Sequence, residues 1–200
     1  MATSPLIQFI IPDFAKAFQK FSIECKSQIK SLIGFLEEYC TKDAYALFLS
    51  QDTQDPSDGI PPSAIRLVMG CLWHLDCRLK EMTKRMNNVE TLAKVYLPEI
   101  IILLQQSQPE GAKNKATLLL SLMVETEDKI MDNIKDMYTD IQSAIEASQD
   151  PQLSHIPNVC PFFHEFDRQL GSLHGLVYSN FDKHWDTMDY ITRRVSHPQF

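Results

Sequence analysis

Between Ile65 and Tyr96 an apolar or small residue returns at alternating steps of three and four. The positions are Ile65, Val68, Leu72, Leu75, Leu79, Met82, Met86, Val89, Ala93 and Tyr96. Such a beat follows the turn of an α-helix and not the two-residue period of a strand, so one narrow stripe runs along one long helix. A stripe of this kind has to be covered along its whole length by a neighbouring helix. No turn residue interrupts it before Pro98. Residues Ile65 to Val89 are thus expected to form a helix–helix seam, whether the partner comes from the same chain or from a second copy.

The remaining segments carry the same signature. A first helix is expected from Asp13, a plausible N-cap after Pro12. Its inward positions are Phe14, Phe18, Phe21, Cys25, Ile29, Leu32, Leu36 and Tyr39, with Phe35, Leu47 and Phe48 widening the stripe. The second helix runs from Ser63 to about Gln106, and Pro98 predicts a kink or break near Tyr96-Leu97. A third, from about Ala116 to Ser148, turns Leu119, Met123, Ile130, Ile134, Met137 and Ile141 inward. A fourth, from about Phe162 to Arg193, is rich in aromatic residues. Aspartates, prolines and Gly59 mark a loop near 50–62; Pro109 and Gly111 mark one near 107–115; three prolines mark one near 149–161. The expected fold is all-α: an elongated antiparallel bundle of four long helices, with an arm over 1–12, one bundle domain over 13–194 and a tail over 195–200.

Two hundred residues, 44% of them hydrophobic and 22% charged, are enough for a buried core. Six glycines disfavour a turn-rich β protein or a glycine-rich phosphate loop. A net charge of −7 argues against nonspecific nucleic-acid binding, which draws most of its affinity from a basic surface. The five cysteines (Cys25, Cys40, Cys71, Cys77, Cys160) are scattered and lack a CxxC pair, a pattern of reduced structural thiols. No signal peptide or bilayer-length apolar run is visible. The expected location is cytoplasmic, with a nuclear or membrane-peripheral place as alternatives.

A search for chemistry returns little. His164, His174 and His184 recur every ten residues, which turns successive side chains well away from one another on a helix. HExxH, GxSxG, GxxxxGK and GxGxxG are absent. Glu37 and Glu38 are adjacent and point apart. No catalytic set, metal site or cofactor is expected.

Charge and aromatic patterning are more informative. Arg78, Lys80, Lys84 and Arg85 form the densest basic cluster, a candidate contact for an anionic partner or lipid surface, or simply a solvated helix face. Lys16/Lys20 and Lys26/Lys30 are further basic pairs. The third helix is acidic outside, with Glu125, Glu127, Asp128, Asp132, Asp136 and Asp140, and would complement either basic set within the fold or across a dimer. On the fourth helix, Tyr178, Trp185 and Tyr190 are residue types enriched at interfaces, although an aromatic stripe is more commonly core.

With the helices placed, the chain resembles the BAR superfamily, including its inverse-BAR branch. The resemblance rests on the run from Ser63-Ala64-Ile65 to Leu79-Lys80-Glu81-Met82, the Pro-interrupted Val95-Tyr96-Leu97-Pro98-Glu99, and Phe163-His164-Glu165-Phe166 through His174 and Tyr178. It implies long kinked helices, an antiparallel homodimer and a curved anionic membrane as partner. The residues themselves point first to a non-enzymatic scaffold or adaptor that binds protein partners through its helical faces and self-associates. A BAR-like membrane protein, and an enzyme or small-ligand binder with a site in the bundle interior, are the alternatives.

Overall fold

A computed structural model describes residues 5–43, 63–154 and 156–196. Among these the chain is all-α: α1 (Pro5–Lys42), α2 (Ser63–Gln105), α3 (Pro109–Ala147) and α4 (Val159–Ser196), with one 3₁₀ turn at Pro151–Leu153. The loop expected near 50–62 lies outside the described residues, as do Leu47 and Phe48. The chain divides into two compact units. The first comprises Met1–Ser27, Thr83–Met131 and Gly175–Phe200; the second comprises Gln28–Met82 and Asp132–His174.

In the second unit α1 lies antiparallel to α4. Phe35 stacks on Phe166 at 6.4 Å, and Tyr39, a turn further along α1, stacks on Phe162, a turn earlier in α4, at 4.0 Å. Arg78 and His74 of α2 meet Asp136 and Asp140 of α3 in the same opposed sense. Leu153 and Ile156, from the connection between α3 and α4, are buried in this unit. In the first unit α1 packs on α2 through Ser22 and Glu90, on α4 through Phe21 and Phe181, and α2 pairs with α3 through Glu99 and Lys115.

The α2 stripe is filled by the chain's own helices. Ile65, Val68, Leu72, Leu75, Leu79 and Met82 in the second unit, and Met86, Val89 and Ala93 in the first, are all buried. Tyr96 is half-buried, and Leu97 and Ile100 continue the buried line beyond it. Burial of each large aliphatic side chain is worth about 1.5–3 kcal/mol, which is why the heptad positions settle inside.

Helix ends depart from expectation where proline was read as a stop. α1 starts at Pro5, not near Asp13, and carries Pro12 in its interior. Pro5 suits a first helical position, where a missing N–H costs nothing, and Ile11 beside Pro12 is fully buried, offsetting the lost backbone bond. α2 runs from Ser63 to Gln105, the expected extent, with Pro98 in its interior and no break there. α3 begins at Pro109 and absorbs most of the expected 107–115 linker, since Pro109 again takes the first position and Glu110 follows at the positive end of the helix dipole. α4 begins at Val159, with Pro161 in its first turn and the Asn158 carbonyl accepting the Phe162 N–H at 2.9 Å. At the other end α4 extends through Val195, which is buried.

The turn between α2 and α3 is therefore only three residues long. Ser107 adopts φ 57°. Its N–H donates to the Leu104 carbonyl at 3.2 Å, and the Gln108 N–H donates to Leu103 at 2.9 Å. This is the two-bond helix stop in which glycine normally occupies the left-handed position. Ser107→Gly should raise stability by about 1 kcal/mol, read as a higher urea midpoint at unchanged slope.

Candidate protein-binding surface

On α4 the helical repeat separates two sets of aromatics. Phe163, Phe166 and Phe181 point inward and are fully buried, whereas Tyr178 is 60% and Trp185 39% exposed. Tyr178 and Trp185 are two turns apart, so they share a face, and Asp182 lies between them on it. Asp189 continues that face one turn on and is paired with Arg193 at 2.7 Å. Tyr190 sits round the helix from it, with the Arg194 guanidinium 5.4 Å from its ring. Of the three aromatics singled out from sequence, two therefore form one surface and the third stands apart.

Beside that surface runs α3, whose acidic face is divided between two tasks. In the second unit Asp136 lies 2.6 Å and Asp140 3.4 Å from the Arg78 guanidinium, and Asp140 also stands 3.5 Å from His74 Nδ1. The complementarity expected between the acidic helix and the basic cluster is thus met inside the fold at Arg78. In the first unit the face carries Glu127 and Asp128. Burial, then the neighbouring Asp182 and Asp128 carboxylates, push the Glu127 carboxyl above its ordinary range. Among the described residues no ion pair engages Glu127, Asp128 or Asp182.

The other residues of the basic cluster are dispersed. Lys80 pairs with Asp76 at 2.6 Å in the second unit. Lys84 is exposed and Arg85 half-buried in the first. Of the α1 lysines, Lys26 is drawn to Glu90, a residue that sequence reading passed over. Glu90 is only 8% exposed. It accepts hydrogen bonds from Ser22 Oγ at 3.1 Å, from Lys94 Nζ at 2.7 Å and from Lys26 Nζ. Burial alone would raise its pKa, but the bonds from Lys26, Lys94 and Ser22 outweigh it and hold the carboxyl at about 2. The signal for it was present: Glu90 directly follows the stripe residue Val89, and it sits one helical turn before Lys94.

The histidines do not converge. His164 is exposed, and His174 is half-buried with its ring 6.1 Å from Tyr138. His184 is buried in the first unit among Phe14, Phe18 and Phe21, with ring centroids 5.6, 5.3 and 5.3 Å away. Burial lowers its pKa, opposed by the Asn180 and Ala17 carbonyls and reinforced by Lys183, so the neutral ring is the stable form in the fold. It floors an open cleft of about 450 Å³ between α1 and α4 whose charges oppose each other, Lys20 and Lys183 against Asp13 and Glu24. Among the described residues no group of three His, Cys, Asp or Glu could hold a metal ion, and no helix is long and apolar enough to cross a membrane. All five cysteines are free; burial pushes the Cys25 thiol up to about 12 and Cys71 to about 11, removing both as nucleophiles.

No protein-family model, curated protein or solved structure matches the chain.

Proposed function

We propose that the protein is a non-enzymatic helical scaffold that binds protein partners through the outer face of α4 in its first unit. One observation carries this reading: Tyr178 and Trp185 stay at the surface two turns apart on one face of a helix whose phenylalanines are buried. Large amphipathic rings held on a rigid helix are the residues that most often anchor an interface. The seam offered from sequence for self-association, Ile65 to Val89, is occupied within the chain, so a second copy would need another surface. The membrane alternative calls on Arg78, Lys80, Lys84 and Arg85 with the α1 lysines, and the charges of Arg78 and Lys80 are already met by Asp136, Asp140 and Asp76. It accordingly ranks second.

Two measurements test the reading. Light scattering of the purified chain should return a mass near 23.0 kDa. A value near twice that would show self-association through a surface other than the α2 seam. Trp185→Glu and Tyr178→Glu should each abolish recovery of a defined set of partners from cell extract while leaving the thermal midpoint within a few degrees. An unchanged partner set from both variants would refute the proposal.

A further inference from the structure

The chemistry of the α4 face specifies what it receives. We infer that it docks a basic segment of a partner protein, an arginine- or lysine-bearing amphipathic helix lying across Tyr178, Asp182 and Trp185 against Glu127 and Asp128 of α3. The inference rests on the scaffold reading above and adds the identity of the occupant.

Three features of the site converge on cationic side chains. Tyr178 and Trp185 present ring faces two turns apart on one helix, and such faces attract guanidinium and ammonium groups, tryptophan most strongly. Asp182 lies between the rings, so a cation placed over either one gains a carboxylate neighbour. Asp182 and Asp128 both repel Glu127, with no ion pair among the described residues to relieve it. An incoming cation relieves that repulsion, whereas an anionic or purely apolar occupant leaves it in place or worsens it by desolvation. Other acidic groups are answered within the molecule: Glu90 by Lys26 and Lys94, Asp136 and Asp140 by Arg78, Asp189 by Arg193. Glu127, Asp128 and Asp182 are in no ion pair among the described residues, and Asp182 lies between the exposed rings. The net charge of −7 acts in the same sense over longer range, steering basic partners inward.

The probe is a synthetic 18-residue amphipathic helix of leucine and arginine, compared with a version carrying glutamate in place of arginine. Binding is read from Trp185 fluorescence in a Trp73→Phe background, which leaves a single indole in a chain of two tryptophans. The basic peptide should bind saturably and weaken with salt, and the acidic one should not bind. Asp182→Lys should weaken the basic peptide roughly tenfold or more, while Glu37→Lys, an equal charge change at an exposed site on α1, should alter it less than about twofold. Equal losses from the two reversals would mean undirected attraction to an acidic protein and would overturn the inference. If Trp185→Ala (read by calorimetry) and Tyr178→Ala weaken binding but Asp182→Lys does not, the docking face stands and its proposed charge preference falls. If none of the three has an effect, both fall. Circular dichroism of each variant identifies a loss that comes from unfolding, and any variant that unfolds is replaced by Asp182→Asn or Trp185→Leu.

Discussion

Phe181→Ala should lower the free energy of unfolding by about 3–5 kcal/mol, the largest effect of any single substitution considered for this chain. The ring is fully buried. It meets Phe21 edge-on at 5.2 Å, and Phe21 in turn lies 5.3 Å from His184 and 6.1 Å from Phe18. Removing it deletes apolar burial and leaves a cavity that the stiff neighbouring rings cannot refill. Edge-to-face geometry between the two phenylalanines adds about 0.5–1.5 kcal/mol to the loss. Equilibrium urea denaturation measures it. The comparison is Tyr178→Ala, three residues away on the exposed face, which should cost less than about 1 kcal/mol. A loss at Phe181 no larger than that at Tyr178 would refute the packing of α4 on α1.

The second large effect is confined to acid. Glu90 is held at about 2 in the fold against an ordinary 4.5. A carboxyl whose folded pKa is depressed contributes stability that is complete above its unfolded pKa and is lost as pH falls through the folded one. The window therefore runs from about pH 4.5 down to about pH 2. At about 1.36 kcal/mol per unit, the depression corresponds to about 3 kcal/mol at neutral pH. Glu90→Gln should lose most of this at pH 7 and converge on the parent protein near pH 2, because protonation has by then done to the parent what the substitution does to the variant. The difference between the two unfolding curves isolates Glu90 from other acid-sensitive groups, including the exposed Glu165 beside Arg168. His184 acts in a separate window: protonating a ring whose folded pKa is lowered from 6.5 removes stability as pH falls below that value. Glu90→Gln leaves that part of the curve in place. If the variant kept the parent's full decline between pH 4.5 and pH 2, Glu90 would not be its source.

Periodicity made the inward faces legible. Every position from Phe14 to Tyr39 assigned inward on α1, and every one from Ile65 to Ala93 on α2, is buried. The same arithmetic put Phe163, Phe166, Leu170, Leu173, Val177, Phe181, Trp185 and Met188 on the inward face of α4; all are buried except Trp185, which the drift of the helical repeat carries to the surface at 39% exposure. Helix ends were harder. Pro12 and Pro109 each read as punctuation, yet each lies within a helix, because a missing N–H near a first turn costs nothing and deeper in it can be outweighed by burial such as that of Ile11. The candidate surface was half visible. Tyr178 and Trp185 stood out as residue types, but Asp182, Glu127 and Asp128 gained meaning only once α3 and α4 lay together.

By itself the order of residues determined which class of fold this chain adopts and which side of each helix is hidden, since a repeat near 3.5 residues can be buried only by another helix. It also set the number of long helices. What it could not decide was whose helix covers which stripe, because an intramolecular and an intermolecular neighbour present the same apolar edge. Only the tertiary structure assigned Arg78 to Asp136 and Asp140, drew Lys26 to Glu90, and brought Asp182 of α4 near Glu127 of α3. Charges interact across space over a few ångströms, and residues that distant in sequence come within that range only after the backbone has brought their helices side by side.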